Sequence, residues 1–341
     1  MESKIVCYGG INLKKRILSS GLIVLLLLAL CFGVVNAKEY TVLVMPKLIG
    51  IPYFNASEKG AREAGKDLGV NVIYAGPTQA DAASQVKMIE DYISKGVDAI
   101  CVAPNDPAAL TPVLKKARQK GIIILDWDTP ADKSVVDISI HQIDDKVYGE
   151  HIWDLFVKKL GKSKGNYAIL TGGLEAENLN TWINYGIAHA KKKYPQLRLV
   201  TERIPTNENQ QEAYMKTLNL LKAYPKLDGI VALSSPAPIG AAQAVREKGL
   251  KNKVTVVGIA IPSQARPYLK SGDLKAATLW DPSVLGYFAV YMATQKITGK
   301  KIYDGMVIPK IGKIEVKPDG KTVVMGPPTD FLAENVDKFN F

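Results

Sequence analysis

The sequence is poor in the side chains that build disulfide scaffolds and metal centres. It holds three cysteines and three histidines in 341 residues. Cys7 and Cys31 fall in the amino-terminal stretch, and Cys101 stands alone in an apolar run. With one cysteine left beyond the leader there is no internal disulfide, so the core must hold the chain together. The histidines (His141, His151 and His189) have no metal-ligand spacing, and no HExxH, paired CxxC or P-loop is present. The nucleophile elbow GxSxG is also missing. These absences exclude the common zinc, nucleotide-phosphate and serine-hydrolase chemistries and imply no cofactor. The formal charge of +11 is basic. Its Lys and Arg residues are spread over helix-like stretches such as "VLKKARQK" and "AHAKKKY", without interleaved aromatics. They read as solvated helix faces, so no nucleic-acid partner is expected.

The amino terminus is organised differently. A Lys14-Lys15-Arg16 cluster precedes "GLIVLLLLALCFGVV", which ends in Val35-Asn36-Ala37. A basic segment, an apolar segment and a small-residue cleavage site predict a secretory signal peptide over residues 1–37, with Lys38 as the mature start. A permanent anchor is the competing reading. Acylation at Cys31 is another, disfavoured because the preceding residue is Leu30 rather than a small one. Cleavage removes Glu2 and four basic residues, which takes the net charge from +11 to +8. No later run is long and apolar enough to span a bilayer.

After the leader, short β-branched runs alternate with amphipathic stretches of helical spacing. Strands are predicted at Tyr40–Met45, Val70–Tyr74, Ala99–Ala103, Ile122–Leu125, Val135–Ile140, Asn166–Leu170, Leu197–Ile204, Gly229–Ala232, Val254–Ile259 and Lys275–Leu279. Such alternation makes βαβ units with parallel sheets. The stretch "VDAICVAPNDPAALTPVLKKARQKGIIIL" echoes "LDGIVALSSPAPIGAAQAVREKGLKNKVTVV". Each has an Asp at the strand start (Asp98, Asp228), a polar pair and Pro at the strand end, and a helix closed by Lys-Gly. The echo predicts two similar α/β lobes.

In open parallel sheets, ligands bind beyond the carboxyl ends of the strands. Those ends carry polar residues beside aromatic ones: Lys47 with Tyr53 and Phe54, Asn105 and Asp106, Asp126-Trp127-Asp128, Glu175 with Asn178, Asn180 and Trp182, and Trp280-Asp281. If strand geometry persists past Leu125, Asp126 and Asp128 share one face. One of the two is expected to touch ligand, against the alternative that Asp128 only caps a turn before Pro130. Flat rings with carboxylates and amides suit a sugar, which presents C–H patches and hydroxyls.

The chain resembles the solute-binding proteins of bacterial ABC importers with the ribose-binding-type fold, and in particular the autoinducer-2-binding and rhamnose-binding receptors. The segments "PKLIG", "GAREAGKDLGV", "ILDWD", "RPYLKSGDLK", "LWDP", "IPKIGKIEV" and "ENVDKFNF" carry the resemblance. It implies two Rossmann-like lobes with parallel sheets, a three-segment hinge and a ligand cleft between the lobes. The first lobe would be residues 38–142 plus 281–305, and the second 143–280 plus 306–341. The crossings are expected near Ile140–Asp144, Leu279–Pro282 and Lys301–Ile308.

The autoinducer-2 receptors use a Lys after the first strand and the Asp of a Trp-Asp pair, which Lys47 and Asp128 match. Their Asp-Gln pair is replaced here by Asn178 and Leu179. Their Pro and Ala backbone contacts align with Leu233 and Ser235. The resemblance thus implies first-lobe contacts from Lys47, Tyr53, Phe54, Asn105 and Asp128, and second-lobe contacts from Asn178, Asn180 and Ser235. Trp280 and Asp281 would lie at the hinge. The implied function is an exported, monomeric binder that captures autoinducer-2 or a related small sugar such as rhamnose for an ABC permease. A ligand-presenting subunit for a sensor or chemoreceptor is the alternative, and an exported carbohydrate-active enzyme using Asp126 or Asp128 is a third reading.

Overall fold

Most of the predicted strands form where the apolar runs lie, and most helices begin at a capping Asp or Asn or at a Pro in the first turn. A computed structural model describes residues 1–5 and 39–341, so the leader reading lies outside the described residues. The body runs from Tyr40 to Phe341. In chain order its first half is β1 (Thr41–Met45), α1 (Pro52–Leu68), β2 (Asn71–Tyr74), α2 (Ala82–Lys95), β3 (Ala99–Val102), α3 (Pro107–Gln119), β4 (Ile123–Trp127) and β5 (Ile138–His141). The second half is α4 (Asp145–Leu160), β6 (Lys164–Thr171), α5 (Glu177–Lys193), β7 (Gln196–Leu199), β8 (Ile204–Pro205), α6 (Gln210–Ala223), β9 (Gly229–Ala232), α7 (Ala237–Glu247), β10 (Thr255–Ile259), α8 (Pro262–Ser271) and β11 (Ala276–Leu279). Then come α9 (Pro282–Ile297) and the short strands β12 (Val307–Ile308), β13 (Gly312–Lys313), β14 (Glu315–Val316), β15 (Thr322–Val324) and β16 (Thr329–Phe331).

Two sheets have the same inner order. The first runs β2-β1-β3-β4-β5 and the second β7-β6-β9-β10-β11, all parallel within those stretches. The repeat seen in sequence thus occupies equivalent places, β3-α3-β4 and β9-α7-β10. Its two aspartates also do the same work. Asp98 accepts from the Thr41 backbone N–H at 2.8 Å, and Asp228 accepts from the Asn166 N–H at 2.7 Å. Each carboxylate pins the start of the neighbouring strand.

Three features depart from the sequence reading. The expected strand Leu197–Ile204 is two strands laid in tandem along β6. Tyr167 pairs with Leu199 and Leu170 with Ile204, so three steps on β6 face five on its partner, and residues 200–203 bulge out. The second departure is the third crossing. Residues 315–324 do not join the second lobe: β14 and β15 form an antiparallel hairpin around Asp319-Gly320, and β15 lies parallel to β5. The assignment of 306–341 to the second lobe is therefore corrected for this hairpin. The chain crosses back at Met325–Pro328, between β15 in the first sheet and β16 against β11 in the second, and not at Lys301–Ile308. Gly320, with φ +66°, and the Asp319 carboxylate, which accepts from the Lys321 and Thr322 N–H groups, close the turn. The third is the tip of β4. Asp126 and Asp128 do not share a face, because Asp128 has φ +63° and turns the chain off the strand path.

The other two crossings are short. Gln142–Asp144 link β5 to α4, and Trp280-Asp281 link β11 to α9. Helix α9 returns to the first lobe and packs along α1.

Candidate ligand-binding site

The carboxyl ends of both sheets frame a hollow of about 360 Å³, the space at its mouth included. On the first-lobe side it is lined by Lys47, Ile51, Tyr53, Phe54 and Asp128. On the second-lobe side stand Asn178, Leu179, Trp182 and Glu208, followed by Ser234, Ser235 and Ile259. Trp280, in the second crossing, forms part of the wall.

Each polar group is put there by a specific piece of backbone. Lys47 lies two residues past the end of β1, after Pro46, and is 3% exposed. Its ammonium lies 3.6 Å from Asp128 Oδ2 and donates to Asn178 Oδ1 at 3.0 Å. The second of these contacts spans the two lobes. Tyr53 sits in the first turn of α1, whose Pro52 presets the helical start. Its hydroxyl donates to Asp128 Oδ1 at 2.7 Å and accepts from the Trp280 indole N–H at 3.0 Å. Burial first, then the Asp128 charge, raises the Tyr53 hydroxyl well above its ordinary value, so it stays a neutral donor. The left-handed backbone at Asp128 is uncommon for a residue other than Gly and marks a held position. Gln142, in the first crossing, fixes it by donating to the Asp128 carbonyl at 3.0 Å.

Aromatic rings close the box. Trp280 meets Tyr53, Tyr148 and Trp182 edge-on, with centroids 6.3, 5.5 and 5.8 Å away. Trp182 is anchored by its N–H on Asp145 Oδ1 at 2.7 Å. Phe54 meets both Tyr53 and the fully buried Trp127 edge-on.

Of the residues singled out in the sequence, Lys47, Tyr53, Phe54, Asp128, Asn178, Ser235 and Trp280 come together around this hollow. Asn105, Asn180 and Asp281 do not line it. Asn105 donates to the Lys47 carbonyl at 2.8 Å and so supports the Lys47 loop from behind. Asn180 is spent on the Leu174 carbonyl and on Arg203. Asp281 caps α9 through the Ser283 N–H and hydroxyl. Short polar side chains just before a helix are claimed by its free N–H groups, which a sequence pattern does not separate from ligand contact. Asp126 is likewise structural. It is fully buried, accepts from Ser139 Oγ and the Ala131 N–H at 2.7 Å each, and from the Ile140 N–H at 3.2 Å.

Glu208 and Ile259 were not singled out in the sequence, and Ser234 was read only as one of the polar pair at a strand end. Each follows or ends a strand of the second sheet, β8, β9 and β10 in turn, so the strand-end rule applied evenly would have found them. Burial raises the Glu208 carboxyl above the ordinary carboxylate range; Lys47 opposes this and Asp128 adds to it. Among the described residues no His, Cys, Asp and Glu group is arranged to hold a metal ion.

The comparisons with known proteins agree with this geometry. A family model described as the periplasmic binding protein domain matches residues 42–301. The D-allose-binding periplasmic protein of Escherichia coli (strain K12) is 29% identical over 257 residues, 73% of this chain and 81% of that protein. The ribose import binding protein of Bacillus subtilis (strain 168) is 26% identical over 270 residues, 78% and 85% of the two chains. Among solved structures, LsrB from Clostridium saccharobutylicum in complex with AI-2 superposes with a TM-score of 0.83 at 29% identity, covering 88% of this chain and all of that one. An ABC transporter solute-binding protein from Clostridium phytofermentas with bound L-rhamnose also gives 0.83, at 26% identity, covering 89% and 98%. With two like-ordered sheets, a hollow at their strand ends and relatives that are binding proteins rather than enzymes, the chain belongs to the type I periplasmic binding protein family.

Proposed function

We propose that the protein is an exported solute-binding protein that captures AI-2 or a related small sugar, such as rhamnose, and delivers it to an ABC importer. The observation that carries this reading is the Lys47 contact. One buried ammonium reaches Asp128 on its own lobe and Asn178 on the other, at the wall of the hollow that both lobes line. A ligand in that hollow touches both lobes only when they are closed, so binding favours closure. Rings from Trp280 and Trp182 offer flat apolar faces for C–H patches, and Asp128, Asn178 and Ser235 offer hydrogen bonds for hydroxyls. Leu179 supplies an apolar spot where a methyl group fits. The names of the relatives, which include binders of AI-2, L-rhamnose, D-allose and ribose, support a small sugar and leave the choice among them to experiment.

The test is isothermal titration of the purified protein with AI-2, L-rhamnose, D-ribose and D-allose. Saturable one-to-one binding of at least one is expected. Heat changes indistinguishable from dilution for all four would overturn the reading.

A further inference from the structure

Glu208 is held in place by unusual backbone. Asn207 and Glu208 both adopt left-handed conformations, with φ +51° and +53°. Two such residues in succession are unfavourable unless the surroundings fix them. The surroundings do. The Thr206 N–H donates to the Thr171 carbonyl at 2.8 Å, and the Asn207 N–H donates to the Gly172 carbonyl at 3.2 Å. Gly172 also leaves room for the carboxyl: a Cβ there would come within 2.2 Å of Glu208 Oε1. The result is a carboxyl that is 8% exposed, faces the hollow, and has no ion pair among the described residues.

Ser234 is in a comparable state. It too has a positive φ, +147°, is 3% exposed, and its hydroxyl meets no partner with full hydrogen-bond geometry, although it stands close enough to Glu208 to draw that carboxyl's pKa down. A buried polar group without a partner costs free energy, so such groups are rare unless something else satisfies them. Ser234 is such a group, and it lines the same second-lobe wall as the buried Glu208 carboxyl. The charges of the hollow add a further restriction. Lys47 is one cation set against the carboxyls of Asp128 and Glu208.

We propose that Glu208 and Ser234 form a second-lobe pair that recognises a ligand hydroxyl, and that this pair selects neutral polyols over sugar acids and sugar phosphates. The inference rests on the reading of the hollow as a sugar site. The Glu208 carboxyl accepts from the ligand hydroxyl, or donates to it when protonated, and Ser234 supplies the complementary donor or acceptor. A ligand carboxylate or phosphate at this wall would face Glu208 with like charge or leave it unpaired, which binding sites use to reject competitors.

The test uses the full protein and whichever of AI-2, L-rhamnose, D-ribose and D-allose the wild type binds. Glu208→Ala is expected to weaken that binding about 10-fold or more, as for loss of a hydrogen bond from a carboxyl, and Ser234→Ala about 5-fold. Glu208→Gln keeps the shape and one acceptor, so its loss is smaller, and it gains measurable binding of the matching sugar acid, which the wild type does not bind. Thermal melting of each variant checks that it is folded. Wild-type affinity in folded Glu208→Ala and Ser234→Ala overturns this inference and leaves the sugar reading standing. If Glu208→Ala does not fold, Glu208→Gln decides: no gain of sugar-acid binding overturns the inference. A wild type that binds none of the four sugars overturns both.

Discussion

Trp280 donates its indole N–H to the Tyr53 hydroxyl at 3.0 Å, and the contact ties a crossing segment to the first lobe. Trp280 lies in the second crossing, and Tyr53 opens α1 in the first lobe. The same hydroxyl donates to Asp128 at 2.7 Å. A short chain of hydrogen bonds therefore joins a crossing segment to the carboxylate that faces the hollow. Tyr53→Phe removes both links and keeps the ring. It is expected to weaken ligand binding by about 1.5–3 kcal/mol, the value of a hydrogen bond to a charged group. Calorimetry with the bound sugar measures this. Unchanged affinity would mean that Lys47, Gln142 and the Thr129 hydroxyl, which donates to Asp128 Oδ2 at 3.2 Å, orient Asp128 without Tyr53.

Asp128 carries the strongest expectation. It is the ion-pair partner of Lys47, and its removal leaves a buried ammonium with a hydrogen bond to Asn178 and the Glu208 carboxyl across the hollow. Asp128→Ala is expected to weaken ligand binding by about 2–5 kcal/mol, as for truncating one partner of a buried hydrogen-bonded charge pair. Binding at wild-type strength would reduce Asp128 to a turn residue, with its left-handed backbone as its whole role.

The parallel framework was legible because both sheets are built from solidly apolar runs whose length and spacing leave little choice. The repeat was legible through Asp98 and Asp228, which pin equivalent strands. The carboxyl-terminal hairpin was not, because β14 and β15 are only two and three residues long. Strands that short have no periodicity to read. At the site, Lys47, Tyr53, Asp128, Asn178 and Trp280 were found through their places at strand ends. Asn105, Asn180 and Asp281 share those places but do not line this hollow; their side chains bond the Lys47 carbonyl, the Leu174 carbonyl with Arg203, and the start of α9. The difference lies in where each side chain points, which depends on neighbours distant in sequence, such as Arg203 for Asn180.

Helix α1 and helix α9 touch through glycine on both sides. A Cβ at Gly60 would come 1.7 Å from the Ser283 carbonyl oxygen, and one at Gly286 would come 2.0 Å from that of Ser57. The obstacle in each case is backbone, which does not move like a side-chain tip. Gly60→Ala must therefore push the helices apart, at a cost of about 1–3 kcal/mol from overpacking. Helix α1 carries Tyr53 and helix α9 follows Trp280, so the same shift should loosen the Trp280–Tyr53 contact. Denaturant unfolding should show the lower stability, and calorimetry a weaker sugar affinity. A variant as stable as the wild type would mean that the helices part without penalty.

Asp126 gives the protein a stability that depends on pH. Burial raises its carboxyl to about 6, although Ser139, the Ala131 and Ile140 N–H groups and His141 all act to lower it. An unfolded aspartate ionises near 3.9. Below about pH 4 the group is protonated in both states and imposes no penalty. As pH rises from 4 to 6 the unfolded chain gives up the proton while the folded one keeps it, so stability falls. Above about pH 6 both states are ionised, and the loss levels off at about 3 kcal/mol. Asp126→Asn has no such step. It cannot accept from all three of its present donors, so it should be less stable than the wild type at pH 4. The gap should then narrow by pH 7. Urea midpoints of both proteins at pH 4, 5, 6 and 7 measure the difference, and a gap that stays constant across that range would show that Asp126 ionises in the folded protein as it does in the unfolded chain.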